Sequence, residues 1–154
     1  MNKSILIASD HAGFALKGKL KPFLKKKGLK VVDLGTESSG RCDYPAYAAA
    51  LAEKIARKSY GRGILICKSG VGNSIVANRF PGVRAALCHN VRAARLSRQH
   101  NDSNVLVLGS AFVSAKTAQR ILGAWLNTSF LGGRHKRRLG QITKIERDVR
   151  RWKP

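Results

Sequence analysis

The chain alternates short apolar runs with longer stretches in which apolar residues recur every three or four positions. The short runs are rich in branched residues and are bounded by glycine or polar residues, which is typical of buried strands. Five such runs predict five strands, at Ser4–Ala8, Leu29–Leu34, Gly63–Cys67, Val83–Cys88 and Asn104–Leu108.

The stretches between these runs predict helices. Pro45 suits the first turn of an alanine-rich helix, whereas Pro22 is expected to kink or shorten its own helix. Ser114 is a suitable N-cap for a helix whose apolar stripe ends at Leu126. The predicted helices are Phe14–Lys27, Tyr47–Lys58, Val71–Asn78, Val91–Gln99, one that follows Ser114, and Leu139–Trp152.

Regular alternation of strand and helix predicts an α/β fold with a doubly wound parallel five-stranded sheet, in one domain of residues 1–154. Right-handed crossovers place helices on both faces of such a sheet, which makes three α/β/α layers. The last helix has an apolar stripe of Leu139, Ile142, Ile145 and Val149. From the pattern alone, this stripe packs equally well on the chain's own sheet or on a second subunit.

The charge of the chain changes the range of partners to consider. Thirty Lys and Arg against eight Asp and Glu give a formal net charge of +22, so nucleic acid becomes a candidate partner. No zinc-finger, RNP or basic-zipper pattern accompanies the basic residues, and few aromatic residues lie among them to stack on bases. The pattern therefore favours solvated basic faces, with loose polyanion binding as a side effect and no specific nucleic-acid recognition.

Other features of composition predict a cytoplasmic protein. No apolar stretch is long enough to span a bilayer, and the amino terminus lacks the layout of a signal peptide. The cysteines Cys42, Cys67 and Cys88 are odd in number and far apart, and no Cys-x-x-Cys pair occurs. Neither a disulfide framework nor a zinc site is indicated, and reduced thiols fit the cytoplasm.

The strongest chemical signal is a cysteine delivered by a buried strand into a glycine-rich turn. Cys67 ends an apolar run, and Gly70 and Gly72 permit a tight turn whose amides can converge on an anion. The spacing matches neither a P-loop nor a dinucleotide fingerprint, so neither ATP nor NAD is indicated. Because ligands bind beyond the carboxyl ends of parallel strands, this position favours catalysis over the alternative of a packed core cysteine.

Further polar residues flank the other predicted elements, each with a structural alternative. Asp10 and His11 follow the first strand, and the pattern fits helix-capping residues as well as it fits site residues. Tyr44 walls a pocket or covers the core. His100 and Asn101 follow a very basic stretch and fit a helix end or a site. The segment before the last predicted helix is either a solvated basic turn or a phosphate-binding cluster, and it consists of Arg134, His135, Lys136, Arg137 and Arg138.

Six segments in this order resemble the type B ribose-5-phosphate isomerases, which share a family with galactose-6-phosphate isomerase. The similarity runs from about Ile5 to Glu146 and is carried by Asp10–Gly13, Asp43–Pro45, Cys67–Gly72, Ala77–Arg79, Ser97–Asn104 and Gly132–His135. The resemblance implies isomerisation between aldose and ketose sugar phosphates, without metal or organic cofactor. It also implies a Rossmann-like fold that forms a homodimer or tetramer with active sites shared between subunits.

The resemblance implies a role for each matching residue. Cys67 would be the base that moves a proton between two sugar carbons, Ser69 would orient its thiol, and His100 would open the sugar ring. His100 and Asn101 would come from the partner subunit. Asp10 and Asn101 would bind the sugar, and the phosphate would be bound by His11, Arg134 and Arg138. The enediolate oxygen would be held by the backbone amides of Lys68, Ser69, Gly70, Val71, Gly72 and Asn73.

Two positions depart from the family pattern. Lys68 stands where the family usually has glycine, and Ala111 stands where many members have a phosphate-binding arginine. Lys68 or Lys136 could compensate for the missing guanidinium. Two alternatives to a ribose 5-phosphate isomerase stay open, namely an isomerase of a six-carbon aldose phosphate and a catalytically idle relative that binds polyanions.

Overall fold

The structure of the chain is a computed structural model that describes residues 4–152. Five strands form one parallel sheet in the order β2-β1-β3-β5-β4. The strands are β1 (Ser4–Ser9), β2 (Lys30–Asp33), β3 (Gly63–Cys67), β4 (Ala85–Leu87) and β5 (Val105–Gly109). The helices are α1 (Phe14–Lys26), α2 (Tyr44–Ala56), α3 (Val71–Ala77), α4 (Val91–Asn101), α5 (Ala115–Asn127) and α6 (Arg134–Val149). The predicted doubly wound fold is confirmed.

The period-two alternation of the strands divides the core into two halves. Ile64 and Ile66 of β3 face one helical layer, and their neighbour Leu65 faces the other. The first layer consists of α1, α5 and α4, and the second consists of α2 and α3. The central strands are therefore buried on both faces, which explains why they read as continuous apolar runs.

The three-layer order fixes where polar residues gather. Each strand runs in the same direction, so the loops after β1, β3 and β5 lie together at the carboxyl edge of the sheet. Each helix then runs back toward the amino edge, where the next strand begins. The sheet therefore offers two distinct edges, each with its own set of polar side chains.

Three helices differ from their predicted form. α2 begins at Tyr44, three residues before the predicted start at Tyr47, and Pro45 lies in its first turn as expected. α1 continues through Pro22. Proline has no amide hydrogen, so the carbonyl one turn earlier lacks its helical partner, and because this side of the helix is exposed, water can take that place. α6 begins at Arg134 and not at Leu139, because Gly132 and Gly133 adopt positive φ and lead the chain directly into the helix. The basic residues placed in a turn by the sequence pattern thus form the first turn of α6, ahead of its apolar stripe.

Among the helices between residues 4 and 152, none combines the length and the apolar character needed to cross a bilayer.

Candidate active site

Cys67 ends β3 with a nearly buried thiol, 4% exposed. The amide of Gly70 donates a hydrogen bond to its Sγ, with nitrogen and sulfur 3.2 Å apart. The amide of Val71 donates to Oγ of Ser69 at 3.3 Å. Gly70 precedes α3 with a φ of +82°, a conformation that favours glycine. The turn therefore holds the sulfur at the carboxyl edge of the sheet.

A cavity of about 410 Å³ opens in front of this thiol. Tyr44, the first residue of α2, forms one wall and packs so closely on Gly72 that any side chain there would collide with its ring. Asn73 is buried, and its Oδ1 has no hydrogen-bond partner within residues 4–152. The cavity is lined by Asp10, Tyr44, Cys67, Lys68, Ser69, Val71, Gly72 and Ile75.

The loop after β1 brings Asp10 and His11 to the same edge. Oδ1 of the buried Asp10 accepts a hydrogen bond from the amide of Gly13 at 3.0 Å, so the carboxylate shapes the turn. Nδ1 of His11 lies 3.1 Å from the carbonyl oxygen and 3.3 Å from the amide nitrogen of Cys42. These contacts occupy Nδ1 and leave Nε2 for a ligand.

Lys68 and Ala111 meet at this edge through their backbones. The amide of Ala111 donates to the carbonyl of Lys68 at 3.0 Å, and both side chains are exposed. The lysine ammonium is thus tethered next to the position where many family members are expected to carry an arginine. The single, flexible ammonium of Lys68 stands in place of a forked guanidinium, so an anion at this edge would be bound with a different geometry.

His100 lies in the last turn of α4, and its ring is stacked on that of His135 in α6. The ring centroids are 4.2 Å apart, and the rings are tilted by 6°. His135 is buried, whereas the side chains of Arg134 and Arg138 beside it are exposed. His135 therefore packs inward against His100, whereas the two arginines beside it are exposed to solvent.

A charged network anchors the end of α4. Asp102 has a φ of +42° and forms ion pairs with Arg98 at 2.7 Å and Arg84 at 3.0 Å. Arg84 also donates from Nε to the carbonyl of Asn101 at 2.9 Å. Because Arg84 lies in the segment just before β4, its bonds to Asn101 and Asp102 fix the end of α4, which carries His100, against the sheet.

One copy of the chain does not bring Cys67 and His100 together. Cys67 lies at the carboxyl edge, whereas α4 starts at that edge and runs back for 11 residues, about 16 Å. Its end lies at the amino edge, where the carbonyl of Asn104 accepts a hydrogen bond from Gly63, the first residue of β3.

The expected site residues therefore form two groups. We call the first group the cysteine edge, which holds Asp10, His11, Tyr44, Cys67, Lys68, Ser69, Gly70, Val71, Gly72 and Asn73. We call the second group the histidine edge, which holds His100, Asn101, Arg134, His135 and Arg138.

Comparison with known proteins decides the family. The family model described as Ribose/Galactose Isomerase matches residues 5–142 of this chain.

The chain belongs to the ribose/galactose isomerase family.

This family membership confirms the resemblance seen in the sequence and the predicted enzyme class, an isomerase of sugar phosphates. Ribose-5-phosphate isomerase B of Escherichia coli (strain K12) is 48% identical over 144 residues, which cover 94% of this chain and 97% of that protein.

Solved structures of family members have the same fold. Ribose-5-phosphate isomerase B of Clostridium thermocellum has a TM-score of 0.93 and 45% identity, with 95% of this chain and 99% of that chain covered. Ribose-5-phosphate isomerase B of Mycoplasma genitalium, solved with bound ribulose-5-phosphate, has a TM-score of 0.90 and 42% identity, with 94% of this chain and 96% of that chain covered. The five-stranded parallel sheet is therefore the fold of this isomerase family.

Sequence reasoning assigned no role to two residues that hold the cysteine edge together. The backbone of Cys42 contacts His11, and Oγ of Ser110 donates to the carbonyl of Ala12 at 2.8 Å. Ser110 follows β5 directly, so the sequence pattern places it at the shared edge, but it does not indicate the contact with Ala12. No comparable signal marks Cys42, because its contact depends on the path of a long loop.

Burial lowers the pKa of His135 below its ordinary value, since it disfavours the charged imidazolium. The nearby charges of His100, Arg134 and Arg138 lower this pKa further. The folded state therefore binds a proton at His135 less readily than the unfolded chain does, which links stability to pH.

We expect the melting temperature to fall as the pH drops below about 6.5, the ordinary histidine pKa, and toward the lowered pKa of folded His135. His135→Phe and His135→Gln both remove this titration, so both variants should show a shallower fall than the wild type in melting curves from pH 8 to pH 5. Only His135→Gln should also melt lower at pH 8, because Phe retains a ring against His100. A wild-type pH dependence in both variants would contradict the assignment.

Proposed function

We propose that the chain interconverts ribose 5-phosphate and ribulose 5-phosphate by aldose–ketose isomerisation. The observation that carries this proposal is the Cys67 thiol, held by a backbone amide at a strand end and facing a cavity with Asp10 and Tyr44. Relatives named ribose-5-phosphate isomerase B support the five-carbon substrate.

The proposed reaction moves one proton between two carbons. Cys67, as thiolate, removes the proton from sugar carbon two of the aldose, and the electrons shift to the carbonyl oxygen on carbon one. The resulting enediolate is stabilised by amides of the turn from Lys68 to Asn73. The thiol then returns the proton to carbon one, and the hydroxyl proton of carbon two moves to the oxygen on carbon one, so the product is the ketose. Asp10 binds sugar hydroxyls.

Ring opening is the proposed task of His100, since an imidazole exchanges protons near neutral pH. A single copy separates His100 from Cys67 by the height of the sheet. We therefore propose that each active site combines the cysteine edge of one copy with the histidine edge of another. Arg134 and Arg138 would then bind the phosphate, together with His11 across the interface.

The surface of α6 supports such an assembly. Its apolar stripe remains exposed, with Ile145 61% and Ile142 52% accessible. A cavity of about 720 Å³ lies between this stripe, β4 and the end of α4, and Asn101 is one of its lining residues. A second copy that covers this apolar groove would bury the stripe and bring its own cysteine edge toward His100.

Purified protein supplied with ribose 5-phosphate is expected to form ribulose 5-phosphate without added metal or cofactor. The rate should be measured side by side with galactose 6-phosphate as the six-carbon aldose phosphate. A higher kcat/KM for the five-carbon sugar supports the proposal, because it matches the relatives' substrate.

The other outcomes separate the alternatives. Preference for galactose 6-phosphate would mean that Lys68 and Ala111 have reshaped the phosphate end of the site. No turnover of either sugar, with a folded protein, would favour a catalytically idle relative.

A further inference from the structure

The helical layer of α1, α5 and α4 is basic and carries no acidic residue. None of these three helices contains Asp or Glu. α5 lies in the middle and packs against both neighbours. We call the exposed basic side chains of this face the basic layer, which consists of Lys19, Lys25, Lys26, Arg92, Arg95, Lys116 and Arg120.

The opposite face of the sheet differs sharply in charge. Its helix α2 carries one acid, Glu53, and one base, Lys54, while α3 has no charged residue. Asp33 and Asp102 are each neutralised by two basic partners within their own networks. Arg57, Lys58 and Arg79 add positive charge next to α2 and α3, and α6 is also basic, although it contains acidic residues. The layer of α1, α5 and α4 is therefore distinguished by the lack of acidic residues in its helices, and not by holding all of the excess charge.

The basic layer has free charges and a groove. Within residues 4–152, none of its side chains forms an ion pair. Arg95 of α4 and Arg120 of α5 flank a groove of about 490 Å³ between the two helices, whose other lining includes Gly123 and Asn127. Two unpaired guanidiniums across a groove can bind an anion with forked hydrogen bonds.

The dimensions of the layer fit a nucleic-acid backbone. Packed helices lie about 8–10 Å apart, so three helices span about 20 Å, which corresponds to about six base pairs of a duplex. α1 and α5 present no exposed large apolar side chain, and α4 presents one, Leu96, which is 37% exposed. A membrane surface would need apolar anchors, and single strands would need aromatic residues for stacking. A duplex needs only the basic residues.

We propose that the basic layer binds the phosphate backbone of double-stranded nucleic acid without regard to base sequence. Lys and Arg side chains contact phosphates and release condensed counterions, which makes the binding steeply salt-dependent. This surface lies on helices that carry no residue of the cysteine edge, so it is independent of the proposed isomerase chemistry except at the end of α4.

The test measures binding of the full-length protein to fluorescent 20-base-pair duplexes of unrelated sequence, from 50 to 200 mM salt. The variant Arg95→Gln/Lys116→Gln/Arg120→Gln should weaken binding about a hundredfold near 0.1 M salt and reduce the slope of log K against log salt by about three. Isomerase activity of this variant should equal that of the wild type.

Two matched triple variants remove the same charge elsewhere. Lys54→Gln/Arg57→Gln/Lys58→Gln acts on the α2 side, and Lys144→Gln/Arg147→Gln/Arg150→Gln acts on α6. Both should change binding by only a few fold, through net charge alone. Equal losses in all three variants would show diffuse attraction and overturn the assignment of a surface.

Further outcomes would also overturn the proposal. One is a duplex affinity that fails to fall with salt, and another is a strong preference for one sequence. A third is a protein that binds vesicles of anionic lipid but not duplexes, and whose vesicle binding is abolished in the Arg95→Gln/Lys116→Gln/Arg120→Gln variant. That result would assign the basic layer to a membrane surface.

Discussion

Cys67→Ala is expected to lower kcat for ribose 5-phosphate by about 10²–10⁴-fold while the protein stays folded, because a general base contributes about this much. Alanine removes the hydrogen bond from the Gly70 amide to Sγ but leaves the strand in place, so a modest loss of melting temperature is expected beside the loss of turnover. The measurement is steady-state turnover, with circular dichroism and melting temperature as evidence of folding. Turnover within a few fold of the wild type would exclude Cys67 as the base.

Cys88 offers a matched control for this substitution. It is also a buried thiol, but burial raises its pKa to about 11, and its Sγ donates to the carbonyl of Ala86 at 3.6 Å. A thiol with this pKa is protonated at neutral pH and unsuited to proton abstraction. Cys88→Ala should therefore retain wild-type turnover, and any small loss of melting temperature reports packing alone.

Mixing two inactive variants is expected to restore activity to about a quarter of the wild-type value. Consider a heterodimer of one Cys67→Ala copy and one His100→Asn copy. One of its two sites combines the intact cysteine edge of the His100→Asn copy with the intact histidine edge of the Cys67→Ala copy. Random exchange makes half of the dimers heterodimers, and each has one working site of two. Turnover of ribose 5-phosphate before and after exchange measures the recovery.

The double variant Cys67→Ala/His100→Asn provides the control. When it is mixed with an equal amount of wild type, both sites of each heterodimer should be inactive. Activity of the mixture should therefore fall, after exchange, to about half of its value before exchange. If both residues acted within one copy, exchange would leave the wild-type activity unchanged, and the two single variants would show no recovery. Subunit exchange itself can be verified with differently tagged copies.

The cysteine edge could be predicted from the sequence because its signals are local. Gly63–Cys67 is a buried apolar run, and Gly70 follows it within one turn, so strand, turn and thiol occur in one short segment. Parallel topology then places Asp10 at the same edge without further information. The roles of these residues still rest on the family resemblance.

The histidine edge was harder to predict because its contacts join distant segments. The stack of His100 on His135 depends on where α6 begins, and the apolar stripe indicated a start five residues too late. Lys17 is a similar case, since the sequence pattern favoured solvated basic faces. Instead its Nζ is buried, 2.9 Å from Asp33, and also donates to the carbonyl of Thr36 at 2.6 Å. A helical pattern alone cannot show which lysine meets a carboxylate.

The strand order has a consequence for how the chain folds during synthesis. β5 lies between β3 and β4, so until residues 105–109 have left the ribosome β3 has only β1 as a partner and β4 has none. Until then β3 presents an open edge, which is a template for wrong pairing. The turn after Cys67 also waits, since the amides of Ser110 and Ala111 bond to the carbonyls of Cys67 and Lys68 only once β5 is in place. A nascent chain therefore acquires its reactive thiol early and the walls around it late.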